Sequence, residues 1–243
     1  MRIKIINPNT TQAMTDDIYD AAMRVKNPDT EIVAVTPKRG PASIENMTDE
    51  FVSTIGVMEE VYKGMEEGFD AYIVACYGDP GLYACREIAD VPVVGIAEAS
   101  MYMASMVAPK FSVVAVIPRT TFMLTEVVKR YSMQEKCVSI RDSGMSVLGF
   151  GADPEEGKKR LKEAAIKAIV EDGAEAICLG CAGMVTFTEA LEKELGVPVF
   201  DGVTAAVKMA ESLVQLGKKT SKKLYFSKPE LKEYINFDYV APR

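Results

Sequence analysis

The sequence predicts an α/β protein made of two pseudo-symmetric, doubly wound parallel-sheet lobes with the active site in the cleft between them. Three observations lead there. Short β-branched runs alternate with longer amphipathic stretches along nearly all 243 residues, as strand–helix units do around a parallel sheet. Runs such as Ala71 to Ala75 are almost continuously apolar, as expected of strands covered on both faces. The second half also repeats the first in order, offset by 105 to 110 residues.

The elements follow from local chemistry. Ile3 to Ile6 reads as the first strand, and the polar run Asn9-Thr10-Thr11 suits the start of a helix that reaches about Arg24. Glu31 to Val35 reads as the second strand. The two prolines and the glycine of the 37–43 segment make it a loop, and a helix follows from about Asp49 to Glu67. Ala71 to Ala75 then delivers Cys76 at a strand end.

In the repeat, the strand from Lys110 to Ile117 closes on Pro118-Arg119-Thr120-Thr121, as the first closes on Pro8-Asn9-Thr10-Thr11. Gly173 to Cys181 parallels Gly68 to Cys76, and Val197-Pro198-Val199 parallels Val91-Pro92-Val93. The lobes are therefore expected at 1–107 and 108–216. Residues 217–243 have no counterpart and read as a wrapping tail whose lysines 218, 219, 222 and 223 form a solvated face. Phe150-Gly151-Ala152-Asp153 reads as a loop.

Composition narrows the chemistry. With 48% hydrophobic residues, 26% charged residues and a net charge of −7, the chain suits a globular protein with small-molecule partners, not nucleic acid or an acidic membrane surface. There is no histidine, so acids and bases must be Cys, Asp, Glu, Lys or Tyr, and His-ligated metals are excluded. No phosphate-binding glycine motif points to a nucleotide, and neither a metal nor a cofactor is expected. No apolar run approaches the length of a membrane helix, and five cysteines without a leader suit free thiols. A cytoplasmic homo-oligomer is expected.

The reactive edge of a doubly wound sheet lies beyond the carboxyl ends of its strands, and the repeat puts one cysteine there in each lobe. Cys76 precedes Tyr77 and Gly78, and Cys181 precedes Ala182, Gly183 and Met184; each is then followed by a helical pattern. Backbone N–H groups there would lower a thiol's pKa and hold an anion. Two sulfurs facing one cleft suit removal of a proton from one face of a carbon and return to the other. Asn9, Ser43, Arg119 and Thr120 are candidate polar contacts, and Ile44 and Phe122 are candidate apolar walls. The alternative for the thiols is a buried structural role, which is the reading adopted for Cys85, Cys137 and Cys178.

The runs Ile6 to Thr11, Gly40 to Glu45, Cys76 to Gly81, Gly95 to Ala99, Gly180 to Met184, Val199 to Val203 and Thr220 to Lys222 resemble the aspartate/glutamate/hydantoin racemase superfamily, within it the hydantoin and allantoin racemases. The resemblance implies a cofactor-independent racemase in which Cys76 and Cys181 exchange protons with substrate. Amino-acid racemases of the group carry polar side chains after the thiol, whereas this chain has Tyr77-Gly78 and Ala182-Gly183. A neutral ring is therefore expected ahead of an amino acid, and the mostly apolar candidates Ile44, Tyr77, Phe122 and Met184 place a 5-substituted hydantoin ahead of allantoin. Cis–trans isomerisation of an unsaturated diacid and a non-catalytic ligand-binding role stand as alternatives.

Overall fold

The computed structural model describes residues 1–237, 240 and 241. Strands β1 (Arg2–Ile6), β2 (Glu31–Val35), β3 (Ala71–Val74) and β4 (Val93–Gly95) form one sheet in the order β2-β1-β3-β4. Strands β5 (Phe111–Ala115), β6 (Cys137–Asp142), β7 (Ala176–Leu179) and β8 (Val199–Asp201) form the other in the order β6-β5-β7-β8. Every pairing is parallel and the two orders coincide, so the expected pair of doubly wound lobes is present.

The first lobe carries helices α1 (Gln12–Val25), α2 (Met47–Glu67), α3 (Leu82–Ile88) and α4 (Ile96–Val107). The second carries α5 (Pro118–Arg130), α6 (Gly149–Ala152), α7 (Pro154–Val170), a 3-10 turn at Ala182–Phe187, α8 (Thr188–Leu195) and α9 (Gly202–Gln215). Asn46 caps α2 by accepting from the Asp49 N–H at 3.0 Å. Gly68 ends the same helix at φ +75, and its repeat partner Gly173 has the same φ, a left-handed conformation that favours glycine.

The lobes exchange their last helices. Helix α4 leaves β4 and packs on β7 and β8, while α9 leaves β8 and packs on β3 and β4. The two meet at their first residues, where a Cβ on Gly202 would lie 2.4 Å from the Ile96 carbonyl oxygen. One apolar core consequently runs from Ile5, Ile73 and Val94 through Ala97 and Met101 to Phe111, Cys178 and Val207. A second core, around Val114, Leu161, Ile177 and Leu191, lies under α7 and α8 and takes Met14 from the first lobe.

Two expectations need correction. The Phe150–Asp153 segment is not a loop: Phe150, Gly151 and Ala152 lie in α6, and Asp153 caps α7 by accepting from the Glu156 N–H at 3.1 Å. Nor is Lys222 part of a solvated face. Its Nζ donates to the Arg86 carbonyl at 2.5 Å and the Glu87 carbonyl at 2.9 Å, closing the C-terminal end of α3. Thr220 ties the same stretch to Asp90 and Val91.

Candidate active site

Strands β3 and β7 occupy equivalent places in the two sheets, and each runs out into a turn bearing a thiol. After β3, the Ala75 N–H donates to Ile6 and the Asp79 N–H closes a turn on the Cys76 carbonyl at 2.9 Å. After β7, the Gly180 N–H donates to Val114 at 2.8 Å and the Met184 N–H reaches the Cys181 carbonyl at 3.1 Å. Gly180 passes so close to β5 that a Cβ would lie 2.8 Å from the Val114 carbonyl. All five cysteines are free thiols.

Cys76 and Cys181 both line one cavity with about 470 Å³ of empty space, counting its open mouth. From the first lobe it is lined by Asn9, Met14, Ile44, Ala75, Cys76, Tyr77 and Gly78. The second supplies Val116, Thr120, Met123, Leu124, Val147, Gly180, Cys181 and Ala182. Apart from the thiols, the wall is largely aliphatic and thioether.

Asn9 is the best placed polar group. Its Oδ1 accepts from the Thr11 N–H at 2.9 Å and from Asn7 Nδ2 at 3.0 Å, which fixes the amide with Nδ2 next to Met14 Sδ. Thr120 turns its hydroxyl back to the Ile117 carbonyl at 2.7 Å. Thr10 and Thr11 cap no helix with their side chains; their hydroxyls hold the 37–46 loop at Pro41 and Ala42. The Tyr77 hydroxyl points away from the cavity, to Ser100 Oγ at 2.8 Å.

Burial and anions raise both thiols, contrary to the sequence expectation of lowered pKa values. Cys181 is pushed up to about 11 by burial, against a lowering hydrogen bond from the Gly183 N–H, with the Glu45 carboxylate adding to the rise. Cys76 is raised further, again by burial first, against the Gly78 N–H; Cys181, Glu50 and Asp79 add negative charge around it. Helix dipoles do not offset this. Helix α3 starts only at Leu82, well after Cys76, and Cys181 opens a 3-10 turn, not an α-helix.

Several sequence candidates fall outside the cavity lining. Arg119 is exposed, and Phe122 is 63% exposed, because α5 turns Thr120, Met123 and Leu124 inward and these two outward. Ser43 does not line the cavity, and Met184 is buried in the core of the second lobe. Gly183 contributes its N–H to Cys181 and no wall. Met123 and Leu124 were detectable, since they stand three and four residues after Thr120 on one helix face. Met14, Val116 and Val147 carry no such signal.

Glu45 crosses the cleft, accepting from the Val147 N–H at 2.6 Å. Glu50 lies behind Gly78, with Arg130 Nη2 at 3.8 Å, and burial raises its pKa. Asp79 is buried in the Cys76 turn, and burial pushes its carboxyl up to about 7. No cationic side chain lines the cavity among the described residues.

Comparison with known proteins fits this geometry. The model of the Asp/Glu/Hydantoin racemase family matches residues 3–210. A hydantoin racemase of Pseudomonas sp. (strain NS671) is 57% identical over 97% of this chain and 94% of its own length. One from Paenarthrobacter aurescens is 47% identical over 97% of this chain and its whole length. Among solved structures, the allantoin racemase from Klebsiella pneumoniae superposes with a TM-score of 0.97 at 44% identity, covering 100% of both chains. A family match over most of the chain and relatives of this identity leave one assignment: the protein belongs to the Asp/Glu/hydantoin racemase family.

Proposed function

We propose that this racemase inverts 5-substituted hydantoins by proton transfer between Cys76 and Cys181. The observation that carries the reading is the placement of two thiols at equivalent strand ends of opposite lobes, both on one largely apolar cavity. One sulfur as thiolate takes the ring proton beside the carbonyl, and the other, as thiol, donates a proton to the opposite face. Cys181 has the smaller rise in pKa and is the first to ionise. Its negative charge then opposes ionisation of Cys76, so the two thiols ionise in separate steps, and the state with one thiolate and one thiol that this chemistry requires lies between them.

The Gly78 and Gly183 N–H groups already serve the sulfurs, and the substrate oxygen needs a donor of its own. Asn9 Nδ2 takes that role, held in place by the bonds to its Oδ1. The aliphatic wall and the absence of a lining cation among the described residues favour a neutral ring with an apolar substituent over a zwitterionic amino acid.

A second reading, racemisation of allantoin, is favoured by the close match to the Klebsiella pneumoniae structure. Polarimetry on single enantiomers of benzyl-, isobutyl- and methylthioethyl-hydantoin, allantoin and aspartate decides. The alkyl and benzyl hydantoins should lose rotation fastest. Faster loss with allantoin would transfer the assignment to it, and turnover of aspartate alone would defeat both.

A further inference from the structure

The two thiol turns are not equivalent, and the difference lies at the ends of β4 and β8. Asp201 closes β8 and caps α9 with its own side chain, accepting from the Thr204 N–H at 2.7 Å. The matching residue at the end of β4 is Gly95, with φ −89 and ψ 146 against −86 and 149 at Asp201. The backbone is the same and the capping side chain is missing.

The cap of α4 comes instead from the Cys76 turn. Asp79 Oδ1 accepts from the Ala97 N–H at 3.2 Å and Oδ2 from the Glu98 N–H at 3.0 Å, the second and third residues of the helix. Oδ2 also accepts from the Tyr131 hydroxyl at 2.7 Å, a residue at the far end of α5 in the other lobe. Arg130 beside it donates to the Gly78 carbonyl at 3.0 Å. Gly95 is what admits the carboxylate: a Cβ there would lie 2.3 Å from Asp79 Cγ. Asp79 itself has φ +48, an unfavourable conformation for a residue with a side chain, retained where surrounding contacts fix it. In the Cys181 turn the equivalent position is Met184, a core residue.

We propose that Asp79 is a positioning residue for Cys76 alone, fixing its turn through the start of α4 and through Tyr131 of the opposite lobe. It touches no substrate. Its action on catalysis rests on the proton-transfer role proposed for Cys76; its action on the turn does not.

Capping and positioning can be separated by giving the first lobe the arrangement of the second. In the double variant Asp79→Gly, Gly95→Asp, the glycine suits the positive φ at 79 and the new side chain caps α4 as Asp201 caps α9, while the turn stays untied. The variants, with Asp79→Gly alone, are compared by thermal melting, by racemisation rate, and by iodoacetamide labelling of Cys76 and Cys181 resolved by peptide mass.

The single variant should melt lower and the double should recover most of the loss. In both, Cys76 should label at least about tenfold faster than in the parent, because the turn is no longer tied to α4 and Tyr131, with Cys181 changed less than about twofold. Racemisation should stay at least about tenfold down in both. Recovery of the parental Cys76 labelling rate in the double variant would reduce Asp79 to a helix cap and overturn the proposal. Equal acceleration at both thiols would do the same.

Tyr131→Phe leaves the cap in place and decides the matter if the double variant does not fold. It should accelerate labelling of Cys76 severalfold and leave Cys181 alone, and an unchanged Cys76 would refute the assignment. Labelling is read without turnover, so a parent protein inactive on every hydantoin would defeat the proposed function and leave this test intact.

Discussion

Cys181 titrates where two opposing effects can be weighed. Burial disfavours its thiolate and the Gly183 N–H favours it, with burial the larger, and the thiol is pushed up to about 11. Substituting Cys76→Ser isolates it without removing either effect. With a midpoint near 11, the thiolate fraction is about 0.003 at pH 8.5 and about 0.09 at pH 10, so labelling should accelerate about 30-fold across that interval. A thiol at the unperturbed value of about 8.5 would gain only about twofold. The assay is the iodoacetamide rate at the Cys181 peptide in the folded variant, in buffers of constant ionic strength. A rate that levels off below about pH 9.5 would show that the turn's N–H outweighs burial. In the parent protein the racemisation rate should climb through the same range, because a raised thiol pKa means that the base is supplied only as pH rises.

Cys76→Ser and Cys181→Ser should each abolish net racemisation while retaining exchange of the ring proton with deuterated water for opposite enantiomers; racemisation near the parental rate in either would refute the two-thiol assignment. Arg119→Ala and Phe122→Ala, both directed to solvent, should change kcat/KM by less than about twofold, as surface substitutions do, and a larger loss would bring α5's outer face into the site. Gly180→Ala should destabilise the fold by about 1–3 kcal/mol, read by denaturant unfolding, because backbone stands where the methyl would go; an unchanged midpoint would contradict the packing of β7 on β5. Prolonged EDTA treatment should leave the rate unchanged, since the described residues hold no cluster of three or more cysteine or carboxylate ligands; activity lost and restored by a divalent ion would be the contrary result.

The architecture was legible because it is written in period and repetition. Near-continuous apolar runs marked β3 and β7, and matched glycines and cysteines aligned the halves. Strand β6 was missed because it lies at an edge and is only half-buried, with Ser139 and Arg141 breaking its apolar pattern. The cysteines were found because each ends a strand, whereas their ionisation was misread. A sequence shows that a turn follows a thiol, but the depth of burial and the carboxylates gathered around it depend on both lobes. Charge and position in the repeat make Arg119 and Thr120 equal candidates, yet the rotation of α5 decides which residues reach the cavity, and it brings in Thr120 and Met123 but not Arg119. Asp79 gave no sign of its role, since its partners Ala97, Glu98 and Tyr131 are remote in the chain.

The exchange of α4 and α9 also sets an order of events on the ribosome. The face of the first sheet at β3 and β4 is covered by α9, which begins at Gly202. At about 5–20 residues per second, the interval between the end of α4 and the end of α9 is roughly 5–20 s, during which that apolar face has no cover from its own half. A nascent chain halted after the first lobe should therefore be open to protease and to chaperones that bind apolar surface. Two half-chains made separately should gain protection only when mixed, each supplying the helix that the other lacks.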